Sequence, residues 1–138
     1  MPNLVRFGIS IDKKLIEKFD SLIKKRNYQN RSEAIRDLIR ESLVEEEWKH
    51  NQQIIGAIAL VYNHHQRQLV NKLLDIQHNF YDVVISSQHI HIDHDNCLEI
   101  MIVKGLSGLI RDFYNKIKSI KGVKHINIIK STSGHDLS

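Results

Sequence analysis

Leu4-Val5-Arg6-Phe7-Gly8-Ile9-Ser10-Ile11 alternates apolar and polar residues, with Val5, Phe7, Ile9 and Ile11 turned to one side and Arg6, Gly8 and Ser10 to the other. Such alternation is the signature of a half-buried strand. Two helical patterns follow it before any second strand. Asp12 is placed to cap a helix whose apolar stripe is Leu15, Ile16, Phe19, Leu22 and Ile23; it stops near Arg26, where Asn27 can take the left-handed conformation. Asn30-Arg31-Ser32-Glu33 reads as a capping box opening a second helix that buries Ala34, Ile35, Leu38, Ile39 and Leu43. A unit of roughly 45 residues with one strand cannot satisfy that strand's backbone groups and has little core of its own. It must pair with a second copy.

Two such strands, antiparallel about a two-fold axis, would present Arg6, Gly8 and Ser10 of each subunit on the outer face of a ribbon that fits the major groove of DNA. The charge agrees: residues 1–40 hold ten Lys and Arg against five Asp and Glu, after which Glu41, Glu45, Glu46 and Glu47 reverse the sign. The run from Arg6 to Asp37, ending in Arg31-Ser32-Glu33-Ala34-Ile35-Arg36-Asp37, resembles a ribbon-helix-helix DNA-binding domain. In that arrangement Ser32 and the free amides of the second helix would anchor a phosphate, with Arg36 on the following turn.

The pattern changes after residue 48. Ile54–Tyr62 reads as a nearly continuous apolar strand, His64–Ile76 as a helix, Val83–Asp93 and Cys97–Val103 as a hairpin, Leu106–Ile120 as a helix closed by Gly122, and Val123–Ile129 as a last strand. The fold class is α+β: a dimeric βαα unit over residues 1–48, then a ferredoxin-like, ACT-type βαββαβ domain over 53–130, then a polar tail, 131–138. With 41% hydrophobic residues, six glycines and one proline in 138, the chain suits a compact protein. Its longest apolar run is too short to cross a membrane, no signal-peptide core follows Met1, and a cytoplasmic location is expected.

The chemistry concentrates in His89-Ile90-His91-Ile92-Asp93-His94-Asp95-Asn96-Cys97. A strand turns every second side chain to one face, so His89 and His91 point together while Ile90 and Ile92 face a core on the other side. Cys97, the only cysteine, suits a reducing compartment and joins the histidines on one face if the hairpin connection is odd in length or bulged. His78, at the end of the preceding helix, could add a fourth ligand from the same or another subunit. Each residue alone has a plainer explanation: Cys97 as a core thiol, His78 as a helix C-terminal residue favoured by the dipole, and His64-His65 as cover for a helix start.

Taken together, Gln77-His78, His89-Ile90-His91 and Cys97-Leu98-Glu99 resemble the metal-binding core of the nickel-responsive transcriptional regulators, NikR, and the similarity runs over nearly the whole chain. The resemblance implies one Ni(II) per subunit in a square-planar site at a tetramer interface, held by His89, His91 and Cys97 of one subunit and His78 of a neighbour. It implies Tyr62, Gln77 and Glu99 as residues orienting the ligands. It further implies a homotetrameric dimer of dimers that binds a double-stranded DNA operator, usually to repress nickel-uptake genes. Arg6, Gly8 and Ser10 match the family's base-reading positions, although Gly8 stands where a threonine is expected. Glu33 and Asp37, one turn apart on the second helix, could hold a further cation, though solvated carboxylates are the commoner meaning. A metal-dependent enzyme using Asp93, Asp95 or Glu99 as base is disfavoured, because four protein ligands leave no open position. A ribbon-helix-helix regulator with a small-molecule effector in the second domain is the remaining alternative.

Overall fold

The computed structural model describes residues 3–135 and Leu137, and divides into two compact units, one up to Leu43 joined by the segment from Gly134, the other Val44–Ser133. In the first unit α1 spans Lys13–Lys25, and the Asp12 carboxylate accepts the Lys14 amide at 3.1 Å. Asn27 ends it with φ 63°, and the Tyr28 amide returns to the Ile23 carbonyl at 3.0 Å. The helix α2, Arg31–Lys49, opens with the Glu33 amide donating to Asn30 Oδ1 at 2.9 Å. Only half of the expected capping box forms, because the Glu33 carboxylate pairs with Arg36 instead of returning to the Asn30 amide. Arg31 clasps Asp20 through two 2.8 Å hydrogen bonds, joining α1 to α2 and holding the Asp20 carboxyl below its ordinary range.

The expected first strand pairs with no other among the described residues, and its apolar row is open to solvent: Val5 is 86% and Phe7 71% exposed. A strand exists only by pairing, and among its described residues this unit offers no second one. For the same reason Leu38, Ile39 and Leu43, expected in a core, lie exposed, while Ile23 and Ala34 are buried.

The second unit runs β1 (Gln53–Asn63), α3 (Arg67–Asn79), β2 (Val84–His91), β3 (Asn96–Leu106), α4 (Ser107–Lys118) and β4 (Val123–Lys130). The four strands form one antiparallel sheet in the order β2-β3-β1-β4, the ferredoxin-like topology. β1 is buried at alternate residues, so one face of the sheet is covered: Ile54, Ile58, Leu60, Tyr62, Met101 and Val103 pack against Leu69 and Leu73 of α3 and Ile110, Phe113 and Ile117 of α4. Helix α3 starts three residues later than its apolar pattern suggests. Asn63 captures the chain first, its side chain accepting the His65 amide at 2.9 Å and its carbonyl the Gln66 amide at 3.1 Å, which leaves His64 and His65 in a turn.

The side of β2 that meets the core is also the reverse of the expected one. Registers His89↔Glu99 and His91↔Cys97 put the histidines on the helix-covered face, and Ile90 and Ile92, 42% and 54% exposed, lie on the open face. Alternation along a strand shows that two faces differ, but an edge strand beyond the reach of the helices can carry polar groups on the core side.

Trp48, near the end of α2, belongs to the second unit's core and donates its indole N–H to the Ser131 carbonyl at 3.0 Å. Its ring requires glycine at position 56: a Cβ there would meet the Ile129 carbonyl at 2.8 Å and the Trp48 ring at 3.1 Å. Gly56→Ala is expected to destabilise the protein by about 1–3 kcal/mol. A lowered thermal midpoint at fixed protein concentration, measured beside an exposed control such as Gly8→Ala, checks this.

Candidate metal centre

The β2–β3–β1 register builds the site. His91 lies opposite Cys97, which lies opposite Tyr62; His89 lies opposite Glu99, which lies opposite Leu60. Residues directly opposite in an antiparallel pair share a face, so His89, His91, Cys97, Glu99 and Tyr62 form one patch across three strands. The connection satisfies the odd-length condition: Ile92 pairs back to the Asn96 carbonyl at 2.9 Å, leaving Asp93-His94-Asp95 as the turn. Asp93 holds that turn by accepting the Asp95 and Asn96 amides at 3.0 and 2.8 Å and the Asn96 side chain at 3.1 Å. These bonds, the Asn96 amide foremost, keep the Asp93 carboxyl below its ordinary range.

Beneath the histidines sits a fully buried carboxylate. Glu99 accepts hydrogen bonds from Tyr62 Oη at 2.9 Å, Gln77 Nε2 at 3.0 Å and Ser87 Oγ at 3.2 Å, and His89 Nε2 stands 3.4 Å from the same Oε2. Burial first, then the Glu99 charge, pushes the Tyr62 phenol well above its ordinary value, so Tyr62 stays a proton donor. The phenol oxygen also lies 3.5 Å from His89 Nδ1. Tyr62, Gln77 and Glu99, expected around the metal ligands, thus meet in one network. Ser87 belongs to it and was missed; the two-residue periodicity that pairs His89 with His91 places Ser87 on the same face.

The candidate ligands are aligned but not gathered. Cys97 is buried and both histidines are exposed on the edge strand. Their donor atoms do not fall within 4.8 Å of one another, a spacing that among the described residues groups His65, His94 and Asp95. His78 lies in the last turn of α3, exposed, one residue past the Gln77 that reaches Glu99. Successive helix residues are about 100° apart, so His78 stands on a different face of α3 from Gln77.

In the first unit Arg6, Gly8 and Ser10 lie on the exposed segment before α1, with open space around the Gly8 Cα. Ser32 is exposed in the first turn of α2, and Arg36 on the next turn pairs with Glu33. Asp37 accepts the Tyr28 hydroxyl at 2.6 Å and Arg40 at 3.0 Å. Glu33 and Asp37 are therefore each bound to an arginine of their own helix.

Two family descriptions match the chain: "NikR C terminal nickel binding domain" over residues 55–130 and "Ribbon-helix-helix protein, copG family" over residues 5–46. A protein of Syntrophus aciditrophicus, named "Putative nickel-responsive regulator", is 58% identical over 91% of both chains. Proteins of the same name from Chlorobium phaeobacteroides and Pyrococcus furiosus are 50% and 46% identical, covering 96% and 97% of this chain and 99% and 98% of their own. An uncharacterized protein of Thermotoga maritima shares the fold alone, with TM-score 0.52 and 13% identity over 56% of this chain and 96% of its own.

Removing the Glu99 carboxylate while keeping its bulk, as in Glu99→Leu, leaves the buried Tyr62 hydroxyl without its acceptor, while half-buried Gln77 and exposed Ser87 can turn to solvent. A buried donor left without a partner costs about 1–3 kcal/mol. A loss of stability in this range or beyond is expected in chemical denaturation, whereas Glu99→Gln should recover part of it.

Proposed function

The chain belongs to the NikR family of nickel-responsive regulators, and from that premise we propose that it is a DNA-binding switch whose operator affinity is set by Ni(II) held at His89, His91 and Cys97. It is a regulator and not an enzyme. The observation that carries the assignment of ligands is the pairing of His91 with Cys97, with His89 one step along the same face above the buried Glu99. Two imidazoles and a thiolate are a borderline-to-soft donor set that suits Ni(II). When bound, the ion supplies a Lewis-acid centre that joins these donors to His78 of a neighbouring subunit, one ion per chain.

The protein's own groups do the rest. Glu99 holds the ring of His89 from below, and Tyr62, donating its proton to Glu99, holds that carboxylate in place. The uncovered sheet face, with Ile85, Ile90, Ile92 and Ile129 exposed, is an apolar surface suited to association into a tetramer of two dimers. In the N-terminal unit the bare row of Val5, Phe7, Ile9 and Ile11 favours pairing with a second copy, which turns Arg6 and Ser10 outward as a ribbon for the major groove, while the α2 N-terminus with Ser32 meets the backbone and Arg36 adds charge. Gly8 brings no side chain to a base, so Arg6 and Ser10 carry the reading. Nickel-uptake genes are the expected repressed targets, and coupling is reciprocal, so operator DNA tightens nickel binding as nickel tightens DNA binding.

A gel-shift titration with and without Ni(II) is expected to show tighter binding with the metal; equal affinity in both would sink the regulatory reading. In parallel, a thiolate-to-nickel absorption band saturating at one equivalent per chain should vanish in Cys97→Ser.

A further inference from the structure

β4 carries none of the candidate ligands, yet one of its side chains reaches the turn that joins them. The registers Val61↔His125 and Tyr62↔Val123 leave Lys124 as an extra residue in β4, a β-bulge. Ile126 and Ile128 pack against the core, and unbroken alternation would send Lys124 to the same side. The bulge gives that place to Val123 and leaves Lys124 exposed. The Lys124 ammonium donates to Asn96 Oδ1 at 2.5 Å, and Asn96 Nδ2 donates to Asp93 Oδ2 at 3.1 Å. Asn96 directly precedes Cys97, and Asp93 follows His91 by two residues. We propose that Lys124 is a positioning residue for the Ni(II) site: it locks the β2–β3 turn that holds His91 opposite Cys97 and so slows release of the ion, a role that rests on the ligand assignment proposed above.

The chain of bonds has a direction enforced by the charges at its ends. An ammonium only donates and a carboxylate only accepts, so one orientation of the Asn96 amide satisfies both, and each bond polarises the next. The main chain of the turn is held by the same two residues. The Asn96 carbonyl accepts the Ile92 amide at 2.9 Å, and Asp93 Oδ1 accepts the Asp95 and Asn96 amides at 3.0 and 2.8 Å. β2 is bonded to β3 alone, and the end of an edge hairpin is where a sheet opens first. Lys124 fastens that end to the opposite edge strand.

Charge alone predicts the reverse effect. A cation near a divalent ion repels it, so removing the cation would tighten binding. Faster release on loss of Lys124 therefore reports position.

Release of Ni(II) from the loaded full-length protein into excess chelator, followed by loss of the thiolate band, tests the proposal. Lys124→Met is expected to release the ion roughly threefold to tenfold faster, the low end of what residues supporting metal ligands contribute. Lys121→Met, which removes the same charge three residues away, should not speed release. On an Asn96→Ala background Lys124→Met should add nothing, because the bond it breaks is already lost. Hydrogen exchange of the Asp95 and Asn96 amides in the metal-free protein gives a readout independent of nickel, and Lys124→Met should speed it. A merely stabilising role would lower the denaturation midpoint of the metal-free protein and leave release unchanged. Absence of the thiolate band in the wild type overturns the ligand assignment. Unaltered or slower release in Lys124→Met, or unaltered exchange of the two amides, overturns the role of Lys124.

Discussion

A carboxylate with no access to water must be answered by donors, and Glu99 is answered from three elements at once: Tyr62 on β1, Gln77 on α3, and Ser87 with His89 on β2. An unanswered charge in that position would cost several kcal/mol. The network therefore fixes how α3 lies on the sheet and how β2 aligns with β3. A register slip of one residue would carry Glu99 to the open face and separate His91 from Cys97 in the same movement. Packing of the helix and alignment of the candidate ligands both rest on one buried carboxylate.

Local rules made much of this legible. Asp12 and Asn27 bound α1 because their side chains and backbone preferences act over a few residues, and the parity of the β2–β3 connection follows from strand geometry. The faces of β2 could not be assigned that way. Ile90 and Ile92 look like core residues, yet which side of an edge strand is covered depends on where α3 and α4 land, a fact of tertiary packing. Asn63 likewise displaced the start of α3 because a side-chain turn competed with the helix for the same amides. Ser87 escaped notice since a serine announces itself only through the partner it finds.

Both units leave something unfinished, and in opposite ways. Among the described residues, the first exposes an apolar row on a segment without a ladder; the second closes its own core and leaves an apolar sheet face open. A partner at the first would complete a fold, while a partner at the second would only cover a surface. Pairing of the first unit would thus be tied to folding, and association at the sheet could respond to what is bound beside it.

β2 is an edge strand, bonded to β3 alone, and it is broken by an irregularity between Val84 and Ser86. Its amides are consequently among the cheapest in the sheet to release, and hydrogen exchange there reports openings that leave β1 and the helices intact. Histidines carried on such a strand can be recruited or released at the cost of a local opening, well below the cost of unfolding the domain. A ligand bound there registers mainly as slowed exchange along one strand.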